Sequence, residues 1–271
     1  RCCDMTFANI YHWSRQYPTE FEMKGNCLVF RDMESPWSFS FPYGAEEDQK
    51  ETIELLERQA QEEGHPFRLH LVTPSDFEKL ECWYPGKYKI TYVRDVADYV
   101  YETEKLISLS GKKYHGKKNH VNKFKNTYPD WSYEKLTDEN VEDCFQMALK
   151  WRTQNGCEED EEKRAEMCVT LNALRLYKEL HLTGGVLRAE GRVVAFTLGE
   201  KLNPDMFVVH IEKAFADVPG AYPMINQQFL LHEAPEYLYV NREDDAGSDG
   251  LRKAKESYRP VFLMEKGIVT H

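Results

Sequence analysis

Apolar positions change period several times along the chain, and each change marks an element. In residues 4–24 the spacing of Phe7, Ile10 and Tyr11 is helical, which predicts a short N-terminal helix packed on a sheet. Residues 27–31 read as a strand, and residues 37–42 alternate with period two, the pattern of a half-buried strand. Residues 49–63 form an amphipathic helix with Ile53, Leu55, Leu56 and Ala60 inside, stopped by Gly64-His65-Pro66. A strand at 67–72, a helix opened by Thr73-Pro74-Ser75-Asp76 and a strand at 88–94 complete a β-β-α-β-α-β half.

The second half starts with a strand at 131–136 and a helix at 138–154 that buries Val141, Phe145, Met147 and Leu149. An acidic run at 158–162 opens the next helix, which is expected to reach about residue 180, because first-turn carboxylates suit the helix dipole. From Gly184 a β-meander is predicted, with strands from 185, at 193–198 and at 206–215. A loop at 216–223, a helix to about 233, a strand at 237–240, a basic helix at 251–258 and a strand at 261–265 follow. The halves share an order of strands and helices, which predicts an N-terminal domain at 1–110, a basic connecting helix at 111–128 and a C-terminal domain at 129–271.

Two stretches break these patterns. The strand at 237–240 runs into five polar residues, Asn241-Arg242-Glu243-Asp244-Asp245, at the carboxyl end where open α/β sheets place ligands. These acids suit an ammonium group; alternatively, Arg242 pairs with them and residues 245–248 cap the following helix. Arg252 and Lys255, one turn on, suit a phosphate or carboxylate, or else form an exposed basic helix face. The second stretch, residues 111–125, carries six lysines and two histidines in a chain of net charge −11. Lys112, Lys113, His115, Lys117 and Lys118 are candidates to face RNA, against the alternative of a solvated connecting helix.

The acidic balance excludes a general nucleic-acid coat, and no apolar run approaches the roughly 20 residues that span a bilayer. Seven scattered cysteines without a Cys-x-x-Cys pair read as reduced, buried thiols of a cytoplasmic protein, with no metal site expected.

The polar stretch 241–260 and the basic stretch 111–124 resemble the family built around the C-terminal domain of phosphatidylglycerol lysyltransferase, which is related to Fem-type aminoacyltransferases. The resemblance implies an α+β fold of two tandem GNAT-like domains, with mixed central sheets flanked by helices. It implies acyl transfer, with aminoacyl-tRNA as donor and an amine, hydroxyl or lipid headgroup as acceptor. Acetyl-CoA is the alternative donor, and a non-catalytic binding module is the third reading. In this fold the donor lies between the fourth and fifth strands, here 206–215 and 237–240. Strict alternation there puts His210 and Glu212 on one face, as base or substrate anchor or, alternatively, as a hydrogen-bonded pair inside a core. Glu243 and Asp244 join them as catalytic candidates. Tyr222, Asn226, Asn241, Arg242 and Asp245 are substrate-contact candidates. The loop 216–226 has one glycine, two prolines and no arginine, a poor cradle for a CoA pyrophosphate.

Overall fold

Each of two mixed sheets takes one strand from the other half of the chain. The computed structural model describes residues 2–34 and 37–271. In the first half, β1 (Thr19–Lys24), β2 (Cys27–Asp32), β3 (Ser38–Ser40), β4 (Arg68–Val72) and β5 (Lys89–Tyr92) lie in one sheet. The strand slotted between β4 and β5 is β13 (Gly267–Thr270), from the far end of the chain. In the second half, β7 (Ser132–Lys135), β8 (Thr183–Ala189), β9 (Arg192–Asn203), β10 (Met206–Ala214), β11 (Tyr239–Asn241) and β12 (Phe262–Met264) form the other sheet. Here the strand between β11 and β12 is β6 (Asp98–Glu102), from the first half.

The two sheets repeat one plan. The pair β3–β4 is parallel and is bridged by α2 (Glu46–Glu62); the pair β10–β11 is parallel and is bridged by α8 (Ala221–Glu233). Parallel neighbours need such a crossover. Each plan then continues through a helix, α3 (Pro74–Trp83) or α9 (Asp249–Glu256), and a strand, before its last strand crosses to the other sheet. The expected α+β class with helix-flanked mixed sheets is the architecture found.

Local chemistry explains most boundaries. In α2, Gln49, Thr52, Ile53, Leu56 and Ala60 are buried and the first turn holds Glu46, Glu47 and Asp48. Thr73 caps α3 by accepting the Asp76 amide, with Pro74 opening the first turn. Asp160 caps α7 (Glu161–Arg175), so the acidic run precedes the helix as well as opening it, and α7 ends short of residue 180. Short helices α1 (Phe7–Trp13) and α4 (Thr103–Ser108), the basic α5 (His115–Thr127) and α6 (Val141–Gln154) complete the set. Three strands lay outside the predicted pattern: β1, β6 and β13. The first four residues of β6 are buried, so no alternation marks it.

Gly220, which precedes α8, fixes how α5 docks. Its φ is +87°, and a Cβ there would come within 2.4 Å of the His120 carbonyl and 3.0 Å of the Phe124 Cβ on α5. Gly220→Ala is expected to cost about 2 kcal/mol or more, from the left-handed backbone and the clash, read as a lowered urea midpoint.

Candidate functional site

The parallel strands β10 and β11 pair only through Met206–Val208 and Tyr239–Asn241. Beyond that, β10 runs on to Ala214 while the chain leaves β11 at Asn241, so a wedge opens between them. At its mouth β10 carries a bulge against β9: Val209 faces Gly199 and Ile211 faces Leu198, leaving His210 as the extra residue. A bulge re-aims the side chains that follow. His210 and Glu212 therefore do not act as a pair on one face, as alternation predicted; they belong to two separate bonded groups.

The first group holds His210 between two carboxylates. Its Nδ1 lies 2.7 Å from Glu243 Oε1 and its Nε2 2.9 Å from Glu200 Oε1. Burial opposes the charge on the ring, but the bonds to Glu200 and Glu243 outweigh it and push the pKa up to about 9. At neutral pH His210 is an imidazolium with both nitrogens committed, which makes it a poor base. Glu243 has a left-handed φ of +57°, and its amide donates to Asn241 Oδ1 at 2.7 Å. Non-glycine residues held there mark functional or tightly determined loops. His12 of α1 packs nearby with neither ring nitrogen hydrogen-bonded; burial, with the neighbouring His210, pushes it down to about 4.

The second group centres on Glu212. Its Oε2 accepts from Asn226 Nδ2 of α8 at 3.1 Å, and its Oε1 from Arg242 Nη2 at 3.0 Å. Arg242 therefore pairs with Glu212, outside its own polar run. The Arg242 guanidinium lies over Tyr258, with Tyr101 behind, and Lys117 of α5 lies over the same Tyr258 ring.

The remaining acids of residues 243–245 meet cations of the chain itself. Asp245 is fully buried and takes Arg252 through Nε at 2.9 Å and Nη2 at 3.0 Å, plus the Tyr99 hydroxyl at 2.6 Å. The Arg252 bonds hold its carboxyl well below the usual range. Asp244 lies 4.0 Å from the ammonium of Lys266. Lys255 donates to the carbonyls of Arg242 (2.7 Å) and Asp244, bracing the loop. Asn241 donates to Asp98 at 3.0 Å. Ser248 caps α9.

Lys266, between β12 and β13, is fully buried and reaches Asp4 and Asp98, each at 2.7 Å. Cys2, Asp4 and Asp98 are the group with metal-ligand spacing among the described residues, their ligand atoms within 4.8 Å of one another. The Lys266 ammonium already sits between the two carboxylates and supplies the positive charge there.

Of the basic stretch, Lys112, Lys113, His115 and Lys118 are exposed, whereas Lys117 turns inward. Tyr222 packs beside Trp151 and Ala214, where burial pushes its hydroxyl up. Glu200, His12, Asp98 and Lys266 were not singled out in the sequence; a lone lysine between the two apolar runs 261–264 and 267–269 is the one signal that marked any of them.

The start of α8, where a CoA pyrophosphate would sit in this type of wedge, does not fit that group. The Ala221 amide bonds to the Val218 carbonyl, Pro223 has no amide hydrogen, and α5 packs on Gly220. No helix among the described residues is long and apolar enough to cross a membrane.

Comparison with known proteins places this geometry. The crystal structure of a conserved protein of unknown function from Bacteroides thetaiotaomicron superposes with a TM-score of 0.92 at 37% identity, over 99% of this chain and 90% of that one. L-PGS from Bacillus licheniformis superposes with a TM-score of 0.64 at 14% identity, over 97% of this chain and 87% of that one. An uncharacterized protein of Mycoplasmoides gallisepticum is 25% identical over 192 residues, 69% of this chain and 60% of that relative's length. These solved structures share the fold of two mixed sheets flanked by helices. The family described as phosphatidylglycerol lysyltransferase, C-terminal, matches residues 1–266. With its wedge, its polar loop and its basic helix, the chain belongs to the phosphatidylglycerol lysyltransferase C-terminal family.

Proposed function

We propose that the chain is an acyltransferase that moves an aminoacyl group from aminoacyl-tRNA to an amine or hydroxyl acceptor, a lipid headgroup in the form its family name suggests. In that reaction the acceptor nitrogen or oxygen attacks the ester carbonyl carbon. The bond from that carbon to the ribose oxygen breaks, and the acceptor's proton ends on the ribose hydroxyl. The wedge beside Glu212, Asn226 and Arg242 is assigned as the reaction centre, with Glu212 carrying the proton from the acceptor nitrogen or oxygen to the ribose oxygen. His210 is assigned to hold Glu200 and Glu243 in place.

One observation carries the choice of donor. The inner side of α5 packs on Gly220 and closes the start of α8, while Lys118 of α5 and Lys112, Lys113 and His115 at its start are exposed. Residues 112–127 thus fill the place of a CoA pyrophosphate and display a row of cations suited to an RNA backbone. Lys112, Lys113 and Lys118 changed together to glutamate are expected to weaken charged-tRNA binding and to flatten its log–log salt dependence by roughly two units. Glu212→Gln is expected to lower transfer at least about a hundredfold with binding retained. Saturable acetyl-CoA binding, or tRNA binding indifferent to the three lysines, would count against the reading.

A further inference from the structure

Lys117 and Arg242 converge on one aromatic ring with donors to spare. The Lys117 Nζ lies 3.9 Å from the Tyr258 ring centroid, and the Arg242 Cζ lies 4.8 Å from the same centroid. Arg242 gives Nη2 to Glu212, but its Nη1 is shielded from solvent and has no hydrogen-bond partner. Among the described residues Lys117 makes no hydrogen bond or ion pair, only the ring contact. The single carboxylate of this group, Glu212, already serves Asn226 with its other oxygen. Two cations therefore face one anion in a half-buried place.

An unmatched cation pair is costly where water is scarce, and a buried guanidinium N–H without an acceptor costs more than an exposed one. An oxyanion seated between the two groups removes both penalties. Such an oxyanion would take charge-assisted bonds from the Lys117 ammonium and the Arg242 guanidinium.

We infer that Lys117 and Arg242 form an oxyanion subsite that takes a carboxylate or phosphoryl group of a ligand beside Glu212. The inference deepens the proposed acyl transfer by naming the chemistry of the group bound there. It rests on that reading only for which substrate owns the oxyanion, because anion binding is measured without tRNA or turnover.

The groups facing Lys117 are Arg242, Glu212 and the Tyr258 ring. Burial, followed by the Arg242 charge, pushes the Lys117 pKa down to about 8, and Glu212 pulls the other way. The free site thus holds its ammonium proton weakly, and a bound anion holds it more firmly. Affinity is then steady below about pH 8 and falls above it.

The test is calorimetric titration of the full chain with sodium sulfate and with sodium acetate, at ionic strength fixed with chloride, from pH 7 to 9. Saturable binding of at least one anion is expected. It should weaken about tenfold or more in Lys117→Met, which also loses the pH dependence, and be kept in Lys117→Arg. Tighter sulfate marks a phosphoryl-bearing ligand, and tighter acetate marks a carboxylate. The inference is overturned if neither anion saturates, or if Lys117→Met binds as tightly as the parent protein. Loss of transfer activity with anion binding intact would instead count against the acyl-transfer reading alone.

Discussion

Lys266→Met is expected to destabilise the chain by about 3–5 kcal/mol in urea denaturation. The side chain is fully buried with Asp4 and Asp98 at 2.7 Å, and both thiols nearby, Cys2 and Cys3, donate to the same carboxylates. Burial opposes the charge on Lys266, and the carboxylates outweigh it and hold its pKa above the usual lysine range. Removing the ammonium leaves two carboxylates facing each other where burial already raises the Asp98 carboxyl. Breaking a buried pair costs far more than replacing it whole. Lys266→Met with Asp98→Leu is therefore expected to recover part of the loss. A single-variant cost under about 1 kcal/mol would show that Lys266 is not paired in solution.

Stability is expected to peak near pH 6.5 and to fall on both sides. On the alkaline side the cause is His210. Its folded pKa, about 9, lies above its unfolded value of 6.5. Its contribution is thus fully present below about pH 6.5 and lost as pH rises through about 9, on the order of 3 kcal/mol. On the acid side His12 and His70 act in reverse. Burial holds each near 4, so the unfolded chain takes up their protons first and stability falls from about pH 6.5 towards 4. Lys117, held near 8 against 10.5, partly offsets the His210 loss, but only above about pH 8. Denaturation midpoints between pH 6.5 and 8 therefore isolate His210. His210→Gln should flatten that limb, and an unchanged limb in the variant would refute the assignment.

Much of this was legible before the fold was known, because the wedge announces itself locally. A strand that ends in five polar residues needs partners for them, and residues 241–245 have them. The basic run stood out against a net charge of −11. What stayed hidden depends on distance or on a single inserted residue. The bulge at His210 has no signature in a run of alternating residues, so Glu212 was placed with the wrong neighbour. Asp4, Asp98 and Lys266 are too far apart in sequence for any spacing rule to join them. The acids at 243–245 looked free for a substrate ammonium, because their cations, Lys266, Arg252 and His210, are brought to them by the fold. The strand β6 was missed because a strand buried on both faces has no polar beat to read.

The crossing strands carry a further implication. Neither half can complete its sheet alone: the first lacks β13, and the second lacks β6. Each half has a vacant slot and a strand that fits the other's slot, which is the geometry of a domain-swapped dimer. The chain is equivalent to such a dimer fused through α4 and α5. Asp98 opens one exchanged strand and Lys266 directly precedes the other, so their bond ties the two crossover points together. The halves should therefore melt as one unit, and neither half is expected to complete its sheet without the other.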